Sequence, residues 1–154
     1  MGSPQAADST AHRLPSIAAH IAQRDLLGLY SDGRPDYKRI AELVQLSKVD
    51  LSKLTGVAKS SVRFDESIPV PVAERLRELA NIANLVAEYF DGKVEKVGLW
   101  FELPNPMLGN VSPRNMIRGG RYTRLLNFVL DAREAERAVP QKNASAMAGA
   151  ARSR

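Results

Sequence analysis

The chain has 154 residues, enough for one domain or two small ones, and 44% hydrophobic content is sufficient for a core. It has no cysteine, which excludes disulfides and thiolate chemistry and makes a reducing cytoplasm the expected location. Net charge is +5, but nine basic and three acidic residues fall in 113–154, against thirteen and fourteen in 1–112, so basicity alone does not mark a nucleic-acid surface in the first part. No apolar run approaches the ~20 residues of a membrane span, and the opening MGSPQAADST lacks a signal core, so no membrane partner is expected.

Residues 1–14 are polar and rich in Ala and Ser, a composition that predicts a disordered N-terminus. From Pro15 the spacing of Ile17, Ala18, Ile21 and Ala22 predicts a helix over 15–29. Ser31-Asp32-Gly33-Arg34-Pro35 is a turn by composition, and no convincing strand is expected anywhere in the chain. Asp36 can cap the next helix, whose face is Tyr37, Ile40, Ala41 and Val44. Ser47 with Asp50 three residues on is a short-armed capping box, with Leu46 and Leu51 in the staple positions around it.

The helix from Lys48 to Leu54 stops at Thr55-Gly56, where glycine suits the left-handed conformation of a tight inter-helix turn. Val57 is expected to re-enter the core and a second helix to run from Ala58 to Phe64, burying Val57 and Val62. Small Ser52 stands four residues before Gly56, where two such helices would cross. DLSKLTGVAKSSVRF thus resembles the Xre-type helix-turn-helix of bacterial repressors, although that family more often has Ala where Ser52 stands. The resemblance implies that Lys59, Ser60, Ser61 and Arg63 face the major groove; a structural hairpin with a solvated polar face is the alternative.

Pro71 is expected to open the longest helix, about 72–90, with Val72, Leu76, Leu79, Ala83, Val86 and Phe90 as an apolar stripe. With fewer than three heptads, the stripe reads as core rather than coiled coil. Asp91-Gly92 ends it, and a short helix over 93–103 carries Val94, Val97 and Phe101 on one face, with Trp100 either in the core or exposed as an interface anchor. Pro104-Asn105-Pro106 forbids helix. Met107 and Leu108 are expected to be buried, and Ser112-Pro113 starts a short helix that Gly119-Gly120 breaks. The last helix places Tyr122, Leu125, Leu126, Val129 and Leu130 on one face, with Arg118, Arg121 and Arg124 clustered at its entrance. Cations are unfavourable at a helix N-terminus, so the cluster reads either as an anion site or as solvated and ion-paired arginines. Residues 138–154 are low in complexity and read as a flexible basic tail.

Catalytic signatures do not emerge. His12 and His20 have no Cys companions, so no metal is expected. No Gly-rich phosphate loop follows a strand, and no carboxylate pair stands isolated among apolar residues. The expectation is a protein that is not an enzyme and takes no cofactor.

The order Trp100, Pro104-Asn105, Leu108-Gly109, Ser112-Pro113, Gly119-Gly120 and then Arg121 to Asp131 resembles the toxin-binding domain of Xre/MbcA/ParS-type antitoxins of RES–Xre systems. With the helix-turn-helix, the resemblance covers roughly residues 36–135. It implies an all-α fold of about seven helices, with a helix-turn-helix domain over 15–90 and a toxin-binding module over 93–137. It further implies a type II antitoxin that masks the active site of a cognate RES-type, NAD-depleting toxin and represses its own operator. The toxin-binding residues would be Trp100, Asn105, Leu108, Arg118, Arg121, Tyr122 and Arg124. Reading two half-sites calls for a homodimer or a hetero-oligomer with the toxin. The alternatives are a stand-alone transcriptional regulator whose C-terminal module dimerises, and an interaction protein with a degenerate helix-turn-helix.

Overall fold

A computed structural model describes residues 24–138. The expected disordered 1–14, the helix from 15 to 23 and all but the first residue of the 138–154 tail lie outside these residues. The described chain is all-α, with six α-helices and one two-stranded hairpin. Among the described residues no helix is long and apolar enough to cross a membrane.

Residues 24–29 are not the end of a helix. Asp25 prevents it, because its carboxylate accepts from the backbone N–H of Leu29 (2.8 Å) and of Tyr30 (2.9 Å), folding the chain back on itself. Asn84, buried in the central helix, donates its amide to Asp25 and accepts from the Leu27 N–H, each at 3.2 Å. Leu27 and Leu29 are thereby held in the core. The expected turn at 31–35 is part of a β-hairpin, β1 (Tyr30–Ser31) paired antiparallel with β2 (Arg34–Pro35). Asp32 and Gly33 both take positive φ, the requirement of the two-residue turn whose twist matches the strands.

Helix α1 (Tyr37–Val44) starts at Asp36, whose side chain accepts from the Arg39 N–H, and buries Ile40, Ala41 and Val44. It ends at Gln45, a non-glycine residue in the left-handed region with φ 55°. Helix α2 (Lys48–Thr55) opens with both halves of the Ser47–Asp50 capping box and closes at Gly56, φ 77°. Leu46 and Leu51, flanking the box, are both buried.

The α-helix expected over 58–64 is not formed. Only one 3-10 turn, Lys59–Ser61, follows Gly56, and Val62 is extended. Consecutive serines are weak helix formers and β-branched Val62 is a poor one. Burial of Val62 holds the chain extended there, while Asp65 accepts from the Ser67 N–H and turns it away. Val57 is half-buried.

Helix α3 (Val70–Ala87) begins slightly earlier than expected, with Pro71 in its first turn, and continues as a 3-10 turn, Glu88–Phe90. Every residue of the expected stripe is buried, and so are Ala80, Ile82, Leu85 and Ala87. The helix is therefore enclosed over its second half, as its neighbours explain. It packs against α1, α2, α4 (Val94–Glu102) and α6 (Tyr122–Ala138). Helix α5 (Pro113–Arg118) lies between α4 and α6 and contacts both. Helix α6 extends well past Asp131, and Arg133 fastens its later half to the α3 terminus by an ion pair with Glu88 (3.3 Å). One apolar core runs from Leu27 to Val129, shared by the residues on either side of Gly92.

Candidate partner-binding and nucleic-acid surfaces

Lys59, Ser60, Ser61 and Arg63 are all exposed, around the 3-10 turn that follows α2. Three residues of 3-10 helix do not make a helix face that can lie along a groove; what the chain offers instead is a short tip. Arg63 is engaged within it. Its guanidinium makes a two-point ion pair with Asp65, including Nε–Oδ1 at 2.7 Å, and this pairing holds the Asp65 carboxyl below its usual range. Exposed Lys48, Val49 and Lys53 lie on the preceding helix.

The second expected surface divides into framework and rim. Trp100 is 1% exposed and packs edge-on against Phe101, with ring centroids 5.1 Å apart. It is core and not a surface anchor. Asn105, also 1% exposed, builds the turn that follows α4. Its Oδ1 accepts from the Met107 N–H (2.9 Å), its backbone N–H donates to Val111, and its carbonyl accepts from Leu108 and Asn110. Leu108 is buried at 8%. These three expected contact residues therefore support the surface from beneath. Pro106–Leu108 is a 3-10 turn on which successive side chains diverge, so burial of Leu108 sends Met107 outward. Met107 is 63% exposed, contrary to expectation, and Leu99 is 44% exposed. An apolar run of two on a one-turn element was the available signal that one of the pair must face out.

The arginine cluster is dispersed by its partners. Arg118 reaches back to the corner before α2, with Nε 3.3 Å from Asp50 Oδ2 and Nη2 3.4 Å from the Gln45 carbonyl. Arg114 donates to the side-chain oxygen of the same Gln45. Burial alone would raise the Asp50 pKa, but hydrogen bonds from Ser47 and the Arg118 guanidinium outweigh it and hold the carboxyl below its usual range. Tyr122 is half-buried beneath the Arg75 guanidinium, 3.7 Å from its ring centre. Arg121 and Arg124 are exposed and make no ion pair among the described residues. Among the seven expected contact residues, only these two arginines are exposed cations without an ion-pair partner among the described residues.

A shallow groove lined by Leu27, Leu29, Leu43 and Val94, with Arg39 and Glu42, opens beside α1. Among the described residues no group of three His, Cys, Asp or Glu side chains is placed to hold a metal; His12 and His20 lie outside them. The arrangement supplies apolar contact area, unpaired guanidinium groups and a polar tip. No protein family, curated protein or solved structure was found to match the chain.

Proposed function

We propose that the chain is the antitoxin of a type II toxin–antitoxin pair, docking a RES-type, NAD-depleting toxin through the exposed side chains of Leu99, Met107, Arg121 and Arg124. Masking of the toxin's active site, not catalysis, is the mode of action. Operator binding by the short tip, through exposed Lys59, Ser60 and Ser61 and through Arg63 exchanging Asp65 for a phosphate, would let the same chain repress its own gene. One observation carries the reading. The residues of the ordered motif, Trp100, Asn105, Leu108 and Ser112, are buried in one small framework that leaves Leu99 and Met107 exposed beside it. Large exposed apolar side chains on a rigid support are what an interface hot spot needs.

The test is a tagged pull-down from the native host at moderate salt, with mass spectrometry of what co-elutes. A stoichiometric small protein carrying RES-type Arg, Glu and Ser residues is expected with the wild type and absent with Leu99→Asp/Met107→Asp. Elution of DNA alone from expressing cells removes the toxin reading. A second reading, a stand-alone regulator that dimerises through its C-terminal module, draws on the partly buried Leu126, Phe128 and Leu130 along α6. It expects a dimer of the isolated chain that Leu126→Asp/Leu130→Asp breaks and from which no toxin co-elutes, whereas the antitoxin reading, with or without a homodimer, expects the stoichiometric partner protein.

A further inference from the structure

The corner between α1 and α2 is built in an unusual way. Gln45 closes α1 with φ 55°, a region that side chains other than Gly, Asn and Asp seldom occupy. Its N–H is used by the carbonyls of Ala41 and Glu42. Its own carbonyl and side chain are both exposed at the surface, and both are taken by arginines of α5, from 69 and 73 residues away in sequence. Arg118 then reaches past Gln45 to Asp50, the residue that completes the capping box of α2. Two side chains from one six-residue helix thus grip the backbone, the side chain and the first turn that together set the direction of α2. Neither arginine lies on the 3-10 turn with Lys59, Ser60 and Ser61.

We propose that Arg114 and Arg118 are positioning residues for the nucleic-acid surface: they fix the Gln45–Asp50 corner, and through α2 the placement of the Lys59–Arg63 tip. The inference rests on the reading of that tip as a DNA contact. Both arginines sit on α5, which packs against the helix carrying Leu99 and not against the 3-10 turn itself.

The experiment compares full-length wild type with Arg114→Ala/Arg118→Ala by hydrogen–deuterium exchange and by binding of a labelled duplex from directly upstream of the gene. Amides of 46–57 should exchange about fivefold faster while those of 76–86 stay unchanged, and duplex affinity should fall about fivefold, the scale of a partly exposed polar pairing. Asp50→Asn keeps a capping side chain but loses the charge. It should reproduce the loss, and Asp50→Asn/Arg118→Ala should bind no more weakly than either single variant. Arg118→Lys, which keeps the charge, should recover part of the affinity. Unchanged exchange over 46–57 or an additive double variant would overturn the role. A lower salt dependence in Arg118→Ala would also overturn it, because that marks a direct phosphate contact. Wild type that binds no duplex sinks the DNA reading alone, and exchange over 46–57 still decides whether the arginines hold the corner.

Discussion

Met107 and Leu108 are adjacent, of similar size, and differ in what surrounds them: one is 63% exposed and the other 8%. Aspartate at the two positions should therefore do different things. Leu108→Asp buries a charge and should cost several kcal/mol, visible as a lower urea midpoint by circular dichroism. Met107→Asp should leave that midpoint within about 0.5 kcal/mol and act only on partner binding. A second single-residue effect concerns Tyr89, whose hydroxyl is pushed up to about 12 by burial, with Glu136 adding to the shift. A raised folded-state pKa means that the stability it carries is complete below the ordinary value of 10.0 and is lost as pH rises from there through about 12. Tyr89→Phe should flatten that alkaline limb in unfolding measurements, and Tyr89 should remain un-ionised by ultraviolet absorbance at pH values where a free tyrosine titrates. Sequence shows that Trp100 is large and apolar, but not which way it points. A lone tryptophan reads equally as anchor or core until the opposite wall is known, and here Phe101 and the shared core supply it.

Local signals predicted the helical elements well where they are self-contained. Asp36, Ser47 with Asp50, Gly56 and Ser112 all act where their spacing places them, because a cap is decided within three or four residues. The segment after Gly56 failed because nothing local holds it. Val62 is fixed by burial in a core built from distant residues, and that contact wins over any helical tendency of 58–64. Two substitutions weigh these local devices. Ser47→Ala removes the acceptor for the Asp50 N–H and should destabilise the fold by about 1 kcal/mol. Gly56→Ala meets no neighbouring atom but must hold a Cβ at φ 77°, and should also cost about 1 kcal/mol. Acid tests the same corner. The Asp50 pKa is lowered on folding, so its contribution is full at neutral pH and falls away as pH drops below the ordinary 3.8 through the lower folded value. Asp50→Asn should make the acid unfolding limb less steep.

At the scale of the molecule, the all-α class was legible from periodicity, whereas the joining of its parts was not. Beside the shared apolar core, sequence-distant segments are joined by polar side chains: Asp25 to Asn84, Arg118 to Asp50, Arg133 to Glu88 and Arg75 to Tyr122. Asp50, Arg118 and Tyr122 each carry a local signal, but nothing in the sequence pairs any of these residues with its distant partner. Asn84→Ala should show how much such a joint matters. It leaves the buried Leu27 N–H without its acceptor and should destabilise by about 1–3 kcal/mol, with the largest gain in hydrogen exchange at Leu27 to Tyr30. The Asp25–Asn84 joint also has a bearing on how the chain comes off the ribosome. Residues 25 to 30 are made early, yet their acceptor belongs to a helix completed some 60 residues later. Until then the Leu27 N–H lacks its acceptor, and Leu27 and Leu29 have α1 beside them but not the central helix. This corner of the fold is thus set to close only when the central helix is complete, and a ribosome paused before Asn84 leaves two leucines incompletely covered for whatever chaperone meets the nascent chain.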